Sequence, residues 1–224
     1  MSATNRGAKR AEHDFYETPS WLADALFCAI RGDGFKPKAL YEPGFGRGAL
    51  GAAARRAFGK DTLVYGVDVR GVSVQETDYE VVIDELTHPT RFERVDFLTA
   101  EPYDEHRRCG LIAMNPPFSL AREFINRALE INTRACVAAL LRLNLLGPVK
   151  RAASWRSLPL SGAWVTPTRP SLPRQGSDAT EYAWFMFRYP RPGLRILHTE
   201  TKGAWNHATG IVVQPFHDDF FVSR

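Results

Sequence analysis

The sequence predicts an α/β fold: a mostly parallel sheet of seven strands, helices on both faces and an antiparallel hairpin on the sheet edge. Three observations predict it. Apolar runs of strand length alternate with helical patterns through the first two thirds of the chain, as parallel βαβ units do. One run, "ACVAALLRLNLL" from Ala135, is almost continuously apolar, as a strand buried on both faces must be. After residue 150 the pattern changes: "GAWVTPTRPSL" and "TEYAWFMFRYP" are strand-like and joined by polar "PRQGSDA", which reads as the hairpin.

The elements follow in order. Residues 1–13 read as a basic arm ahead of a single domain over 14–224, with no separate target-recognition domain. In "YETPSWLADALFCAIRGDG", Thr18 is placed to cap a helix, Pro19 fits its first position, and Gly32 or Gly34 ends it. Trp21, Leu22, Ala25, Leu26 and Ile30 form its apolar face. "KALYEP" is a first strand, followed by glycines and the alanine-rich helix "ALGAAARRAFG". "TLVYGVDV" is a second strand ending in Asp68, "FERVDFL" a third centred on Val95, and "CGLIAMN" a fourth. "SLAREFINRALEIN" is an amphipathic helix, with Phe124, Ile125, Ala128, Leu129 and Ile131 on one side. "ACVAALLRLNLL" is the fifth strand and "LRILHT" a last short one. Stretches 70–92 and 147–162 read as loops or short helices.

Composition narrows the function. Of the 224 residues, 44% are hydrophobic and 24% charged, which fits one cored globular domain. The net charge of +4 is compatible with a nucleic-acid partner without requiring one. Cys28, Cys109 and Cys136 form no CxxC pair and sit in apolar surroundings, so they read as reduced thiols. No histidine pair has metal-ligand spacing, and no metal is expected. The longest apolar run, Ala135–Leu141, is too short to span a membrane, and no hydrophobic stretch follows the basic N-terminus as a signal peptide would require.

The chemistry-bearing residues all fall after strands. In doubly wound sheets ligands sit beyond the carboxyl ends of the strands, near the switch in strand order. Strand one is followed by Glu42-Pro43-Gly44-Phe45-Gly46-Arg47-Gly48, strand two ends at Asp68, strand three at Asp96-Phe97, and strand four at Asn115-Pro116-Pro117-Phe118. Gly44, Gly46 and Gly48 allow a close backbone approach and a sharp turn, though a plain tight turn uses glycines too. The spacing misses both the G-x-G-x-x-G dinucleotide pattern and the P-loop, and Glu42 suits a positively charged ligand rather than a phosphate. Asp68 stands where an acid binds ribose hydroxyls. Asp96 would accept from an adenine amino group, with the Phe97 amide facing the ring; either acid also fits a solvated loop. The two prolines stop strand four, because neither donates to a ladder. Asn115 to Phe118 is therefore a rigid loop, with Ser119 available to cap the next helix.

"YEPGFGRGAL", "VYGVDV", "VDFL" and "NPPF", in this order, resemble motifs I to IV of the S-adenosylmethionine-dependent methyltransferases. "DFYETP" resembles motif X, which in this family lies before motif I and helps close the cofactor pocket. The tetrapeptide resembles the (Asp/Asn)-Pro-Pro-(Tyr/Phe) signature of amino-methyltransferases, best known in DNA adenine-N6 enzymes. "FYETP", "TRPSL" and "EYAWFMF" further resemble small phage and prophage adenine methyltransferases. The motifs span residues 14 to about 189.

The resemblance implies a Rossmann-like class I methyltransferase fold, S-adenosylmethionine as cofactor, and methyl transfer to N6 of a flipped adenine in DNA. It implies the cytoplasm of a bacterial or phage-infected cell. Tyr16 and Thr18 would touch the cofactor's methionine end, or else serve as core aromatic and helix cap. Glu42 and Gly44 would line the same end, with Gly46 in the loop and Asp68 on the ribose. Asn115 and the Pro116 carbonyl would accept the amine protons, Pro116 and Pro117 would hold those acceptors still, and Phe118 would stack on the base. For the substrate, Arg142, Lys150, Arg151, Trp155, Arg156, Arg169 and Arg174 would form a phosphate-contacting rim, or else a set of solvated basic loops. With no target-recognition domain, a homodimer or a short recognition site fits best. RNA is the first alternative substrate, a protein glutamine the second, and a non-catalytic partner subunit the third.

Overall fold

A computed structural model describes residues 17–70, 90–146, 155, 157–166, 181–197 and 211–213. Helix α1 is Ser20–Gly32, followed by β1 (Ala39–Pro43), α2 (Ala49–Phe58) and β2 (Leu63–Val67). Then come β3 (Thr90–Glu93), α3 (Asp104–Arg108), β4 (Leu111–Met114), α4 (Ala121–Ile131) and β5 (Cys136–Arg142). A 3-10 turn at Leu143–Leu146 precedes β6 (Leu160–Val165), β7 (Tyr182–Phe187), β8 (Gly193–Ile196) and β9 (Ile211–Val213).

The strands form one sheet in the order β3-β2-β1-β4-β5-β7-β6-β8-β9. β1 to β5 are parallel, whereas β7 runs antiparallel to both β5 and β6. Successive residues of the central strands serve opposite layers. Leu111, Ala113, Cys136, Ala138, Leu140, Trp184 and Met186 pack with α1 and α2. Ile112, Met114, Val137, Ala139, Leu141, Phe185 and Phe187 pack with α4. The predicted strands and helices are found with the predicted type, whereas α3 and β9 were not predicted and β3 and β6 begin inside the stretches 70–92 and 147–162 read as loops or short helices. The continuous apolar run of β5 is explained by burial on both faces. No helix among the described residues is long and apolar enough to cross a membrane.

Five expectations change. The sheet has nine strands among the described residues, and the β6–β7 hairpin lies inside it. β6 carries Trp164, fully buried, and an apolar edge strand of that kind would invite pairing. β8 covers it in parallel and β9 then pairs antiparallel with β8. Gly162 and Gly193 meet at this seam, where a methyl on Gly162 would come within 2.6 Å of the Gly193 carbonyl oxygen.

The third strand is Thr90–Glu93, not a strand centred on Val95. The chain curls immediately afterwards: the amides of Thr99 and Ala100 donate to the Asp96 carbonyl, and that of Leu98 to its carboxylate. Those groups are unavailable to a ladder. The fifth strand stops at Arg142, giving way to the 3-10 turn.

Neither expected side-chain cap forms. Pro19 holds the cap position of α1 and Leu120 that of α4, and neither helix start has a side-chain cap bond. A turn from the Leu120 amide to the Pro117 carbonyl sets the start of α4 instead.

Phe45, buried in the loop after β1, packs over Gly66 of β2 and against Phe92 of β3. A methyl group on Gly66 would overlap the Phe45 ring. Gly66→Ala is expected to destabilise the fold by about 1–3 kcal/mol through overpacking, read from the urea midpoint. A midpoint unchanged from wild type would show that the ring is not held there.

Candidate active site

The chain runs outward from β1 through β2 to β3, then returns to lay β4 on the other side of β1. Strand order reverses between β1 and β4, which leaves a crevice beyond their carboxyl ends. An open cleft lies there, lined by Glu17 and Thr18 ahead of α1, Glu42, Gly44 and Gly46 after β1, and Asn115 after β4.

The glycine loop needs its glycines. Gly44, Gly46 and Gly48 take φ of +69°, +55° and +73°, the left-handed region where a Cβ is strained. The amides of Gly44 and Phe45 both donate to the Val67 carbonyl, and that of Gly48 to the Phe45 carbonyl. The loop is thereby strapped to the end of β2. The Gly46 amide donates to Asp68 Oδ2 at 2.9 Å, so the acid after β2 also holds the loop after β1.

Asp68 is 5% exposed and has a second partner absent from the sequence reading. Arg70 Nε reaches Asp68 Oδ1 at 3.0 Å and Nη2 reaches Oδ2 at 2.7 Å, while the Arg70 amide also donates to Oδ1. Burial pushes the Asp68 carboxyl up, but the Arg70 and Gly46 donors outweigh it and hold the group below the ordinary carboxylate value. The signal was present in Asp-Val-Arg, because an aspartate commonly accepts from the amide two residues on.

Glu42 sits at 2% exposure under the first turn of α2 and accepts from the amides of Leu50 (3.3 Å) and Gly51 (2.8 Å). Burial raises its carboxyl to about 8; the two amides pull it down and nearby Asp68 pushes it up. A buried acid beside an open cleft, short of a full positive counter-charge, suits a cationic ligand.

β4 delivers Asn115 to the opposite wall. Asn115 Nδ2 donates to Thr18 Oγ1 at 3.0 Å, linking the two ends of the site across 97 positions of sequence. Pro116 is buried, and Pro117 and Phe118 are half-buried. The Phe118 ring packs tilted against Tyr182 of β7, 5.7 Å between centroids. The Arg142 guanidinium lies over the same ring, 4.7 Å from its centroid. Arg142 thus stacks on the aromatic of the tetrapeptide.

The remaining expected residues divide. Asp96 is exposed and spends its carboxylate on its own turn, while Phe97 is buried against Tyr41 and Phe124. Neither lines the cleft described above. Trp155 is core: it stacks on Phe185, and its indole donates to the Leu145 carbonyl. Tyr16, Lys150, Arg151, Arg156, Arg169 and Arg174 lie outside the described residues. A pair the sequence reading passed over, Arg47 and Glu17, joins the glycine loop to the segment before α1 at 3.6 Å. Among the described residues no cluster of three His, Cys, Asp or Glu side chains could hold a metal ion.

No protein-family model and no curated protein matches the sequence. Solved structures do match. A candidate RNA methyltransferase from Pyrococcus horikoshii superposes with a TM-score of 0.61 at 20% identity, over 83% of this chain and 90% of that one. The methyltransferase subunit of a type I restriction-modification system from Streptococcus thermophilus gives 0.60 at 14% identity, over 88% of this chain and 50% of that one. A ribosomal protein L11 methylase from Lactobacillus delbrueckii subsp. bulgaricus gives 0.51 at 13% identity, over 78% and 82%. The sheet order, the cleft at its switch point and these likenesses together show a Rossmann-like α/β fold, which these methyltransferases share.

Proposed function

We propose that the protein transfers a methyl group from S-adenosylmethionine to the exocyclic N6 of adenine in DNA. One observation carries the reading: Asn115, which opens the tetrapeptide Asn115-Pro116-Pro117-Phe118 after β4, lines the same cleft as Glu42 and the glycine loop. The residues fit the cofactor. Three left-handed glycines leave room beside the backbone, Glu42 offers a buried acid to a cation, and Asp68 stands where a ribose diol would be held. When bound, S-adenosylmethionine supplies a methyl group on a positively charged sulfur.

The protein's own work is on the amine. The lone pair of an exocyclic adenine amine is delocalised into the ring, so the nitrogen is a poor nucleophile. Two fixed acceptors, the Asn115 side-chain oxygen and the Pro116 carbonyl, favour a tetrahedral nitrogen with its lone pair available. Preorganised dipoles aimed at developing charge give the largest catalytic effects. The prolines keep those acceptors from relaxing. Phe118 offers the stacking face, and a base entering on the side of Arg142 takes the place of the guanidinium. The neighbour from a type I restriction-modification system supports a nucleic-acid substrate, and the candidate RNA methyltransferase keeps RNA as the second reading.

Incubation with labelled S-adenosylmethionine and, separately, DNA, RNA and glutamine peptides tests the proposal. Label is expected on adenine N6 of DNA. Label on RNA or peptide with none on DNA overturns the reading. Asp68→Ala is expected to raise the cofactor dissociation constant about tenfold or more, because a hydrogen bond to a charged group is lost and the Gly46 tether goes with it. Calorimetric titration measures it, and an unchanged constant removes Asp68 from the cofactor site.

A further inference from the structure

We propose that Thr18 is a positioning residue that sets the orientation of the Asn115 carboxamide through the Nδ2–Oγ1 hydrogen bond. The inference rests on the methyl-transfer reading of the cleft and adds to it a role distinct from cofactor contact.

The two ends of a carboxamide have nearly the same shape and opposite hydrogen-bonding character. A half-turn of the Asn115 side chain would present an NH2 group to the substrate amine, donor against donor. The tetrapeptide backbone cannot prevent that, since it fixes the Cα position and not the terminal torsion. The partner at the far end of the amide can. Thr18 Oγ1 lies 3.0 Å from Asn115 Nδ2. Thr18 is 8% exposed, so water competes little for its hydroxyl.

The hydroxyl is not occupied at the helix start, because α1 begins after Pro19 with no side-chain cap bond. Thr18 also lines the cleft. A hydroxyl carries one proton and two lone pairs. An acceptor bound in the cleft that takes the proton leaves only lone pairs for Asn115, and these accept only from Nδ2. Ligand occupancy then locks the amide with its oxygen toward the amine. The amino-acid end of the cofactor carries a carboxylate that supplies such an acceptor. Turnover thus depends on a segment that touches none of the reacting atoms.

The test compares Thr18→Val, which keeps the shape and removes the hydroxyl, with Thr18→Ser, which keeps the hydroxyl. At saturating cofactor, T18V is expected to lower kcat about tenfold, the effect of one net hydrogen bond. T18S should stay within about twofold of wild type, and T18V combined with N115A should be no slower than N115A alone. A second readout needs no turnover: the side-chain NH2 resonances of Asn115, assigned by their loss in N115D. S-adenosylhomocysteine should slow their exchange in wild type and T18S and leave them unchanged in T18V.

Equal loss in T18S and T18V, a kcat for T18V within twofold of wild type, or identical Asn115 resonances in T18V and wild type would overturn the proposal. If wild type methylates no polymer, the functional reading fails while the resonances still decide whether Thr18 holds Asn115.

Discussion

Asn115→Ala is expected to lower methyl transfer by about 100- to 1,000-fold while leaving cofactor affinity within about threefold of wild type. The magnitude is that of removing one preorganised dipole from the group whose charge develops in the transition state. The selectivity follows from position. Asn115 contributes one wall of the cleft, whereas the glycine loop, Glu42 and Asp68 are held by bonds that do not pass through it: Gly46 to Asp68, and Leu50 and Gly51 to Glu42. Loss of the Thr18 contact frees one buried hydroxyl and leaves those bonds in place. Single-turnover transfer and calorimetric titration with S-adenosylmethionine measure the two quantities side by side. Loss of both in proportion would make Asn115 a cofactor ligand, and retention of transfer would end its assignment as the amine acceptor.

Cofactor affinity is expected to rise with pH up to about 8 and then to show no further dependence on this group. Glu42 titrates near 8 because burial disfavours its charged form more than the Leu50 and Gly51 amides favour it. Below that pH the carboxyl is largely protonated in the free protein. A cation bound beside it favours the carboxylate, so binding releases a proton, and the affinity gains up to about tenfold per pH unit. Glu42→Gln removes the ionisation and keeps an acceptor for the α2 amides. The cofactor's own amine titrates identically in both proteins, so the difference between the two pH curves isolates Glu42. Parallel curves between pH 6 and 9 would show that the acid does not meet the cation.

The same shift has a consequence for stability. The unfolded carboxyl titrates at its ordinary value of 4.5, so between about 4.5 and 8 the folded state keeps a proton that the unfolded state has lost. Stability from this group is therefore highest below 4.5 and falls as pH rises through the window, by up to about 1.4 kcal/mol per unit. E42Q should gain on wild type over that range in urea unfolding.

Much of the layout was legible in local pattern. Strands that must face two apolar layers carry apolar residues throughout, and β4, β7 and all of β5 before Arg142 do so. Three glycines between a strand and an alanine-rich helix mark a turn that only left-handed backbone can make, which the φ values of Gly44, Gly46 and Gly48 bear out. Two consecutive prolines end a strand wherever they stand, and β4 ends one residue before Asn115.

What escaped the sequence reading depends on partners distant in the chain. Thr18 looks like a cap because a threonine ahead of Pro-Ser-Trp satisfies every local criterion; its hydroxyl goes instead to a residue 97 positions away. Arg142 reads as a solvent-facing cation because it ends a strand; β7 places Tyr182 beside it and the loop after β4 places Phe118 there, and it stacks on the Phe118 ring. The β6–β7 hairpin looks terminal because hairpin chemistry is local, whereas β8 finds β6 through a close Gly162–Gly193 approach that no local window contains.

By itself, then, the sequence determined the α/β class, the strand ends on which the site is built and the identity of the loop that closes β4, because these follow from periodicity, left-handed glycine backbone and the missing donors of proline. Only the tertiary structure decided which side chains meet there. Thr18 meets Asn115 and Arg142 meets Phe118, because hydrogen-bond and stacking partners distant in the chain are chosen by distance in space after the sheet order has brought β1 beside β4 and β4 beside β5.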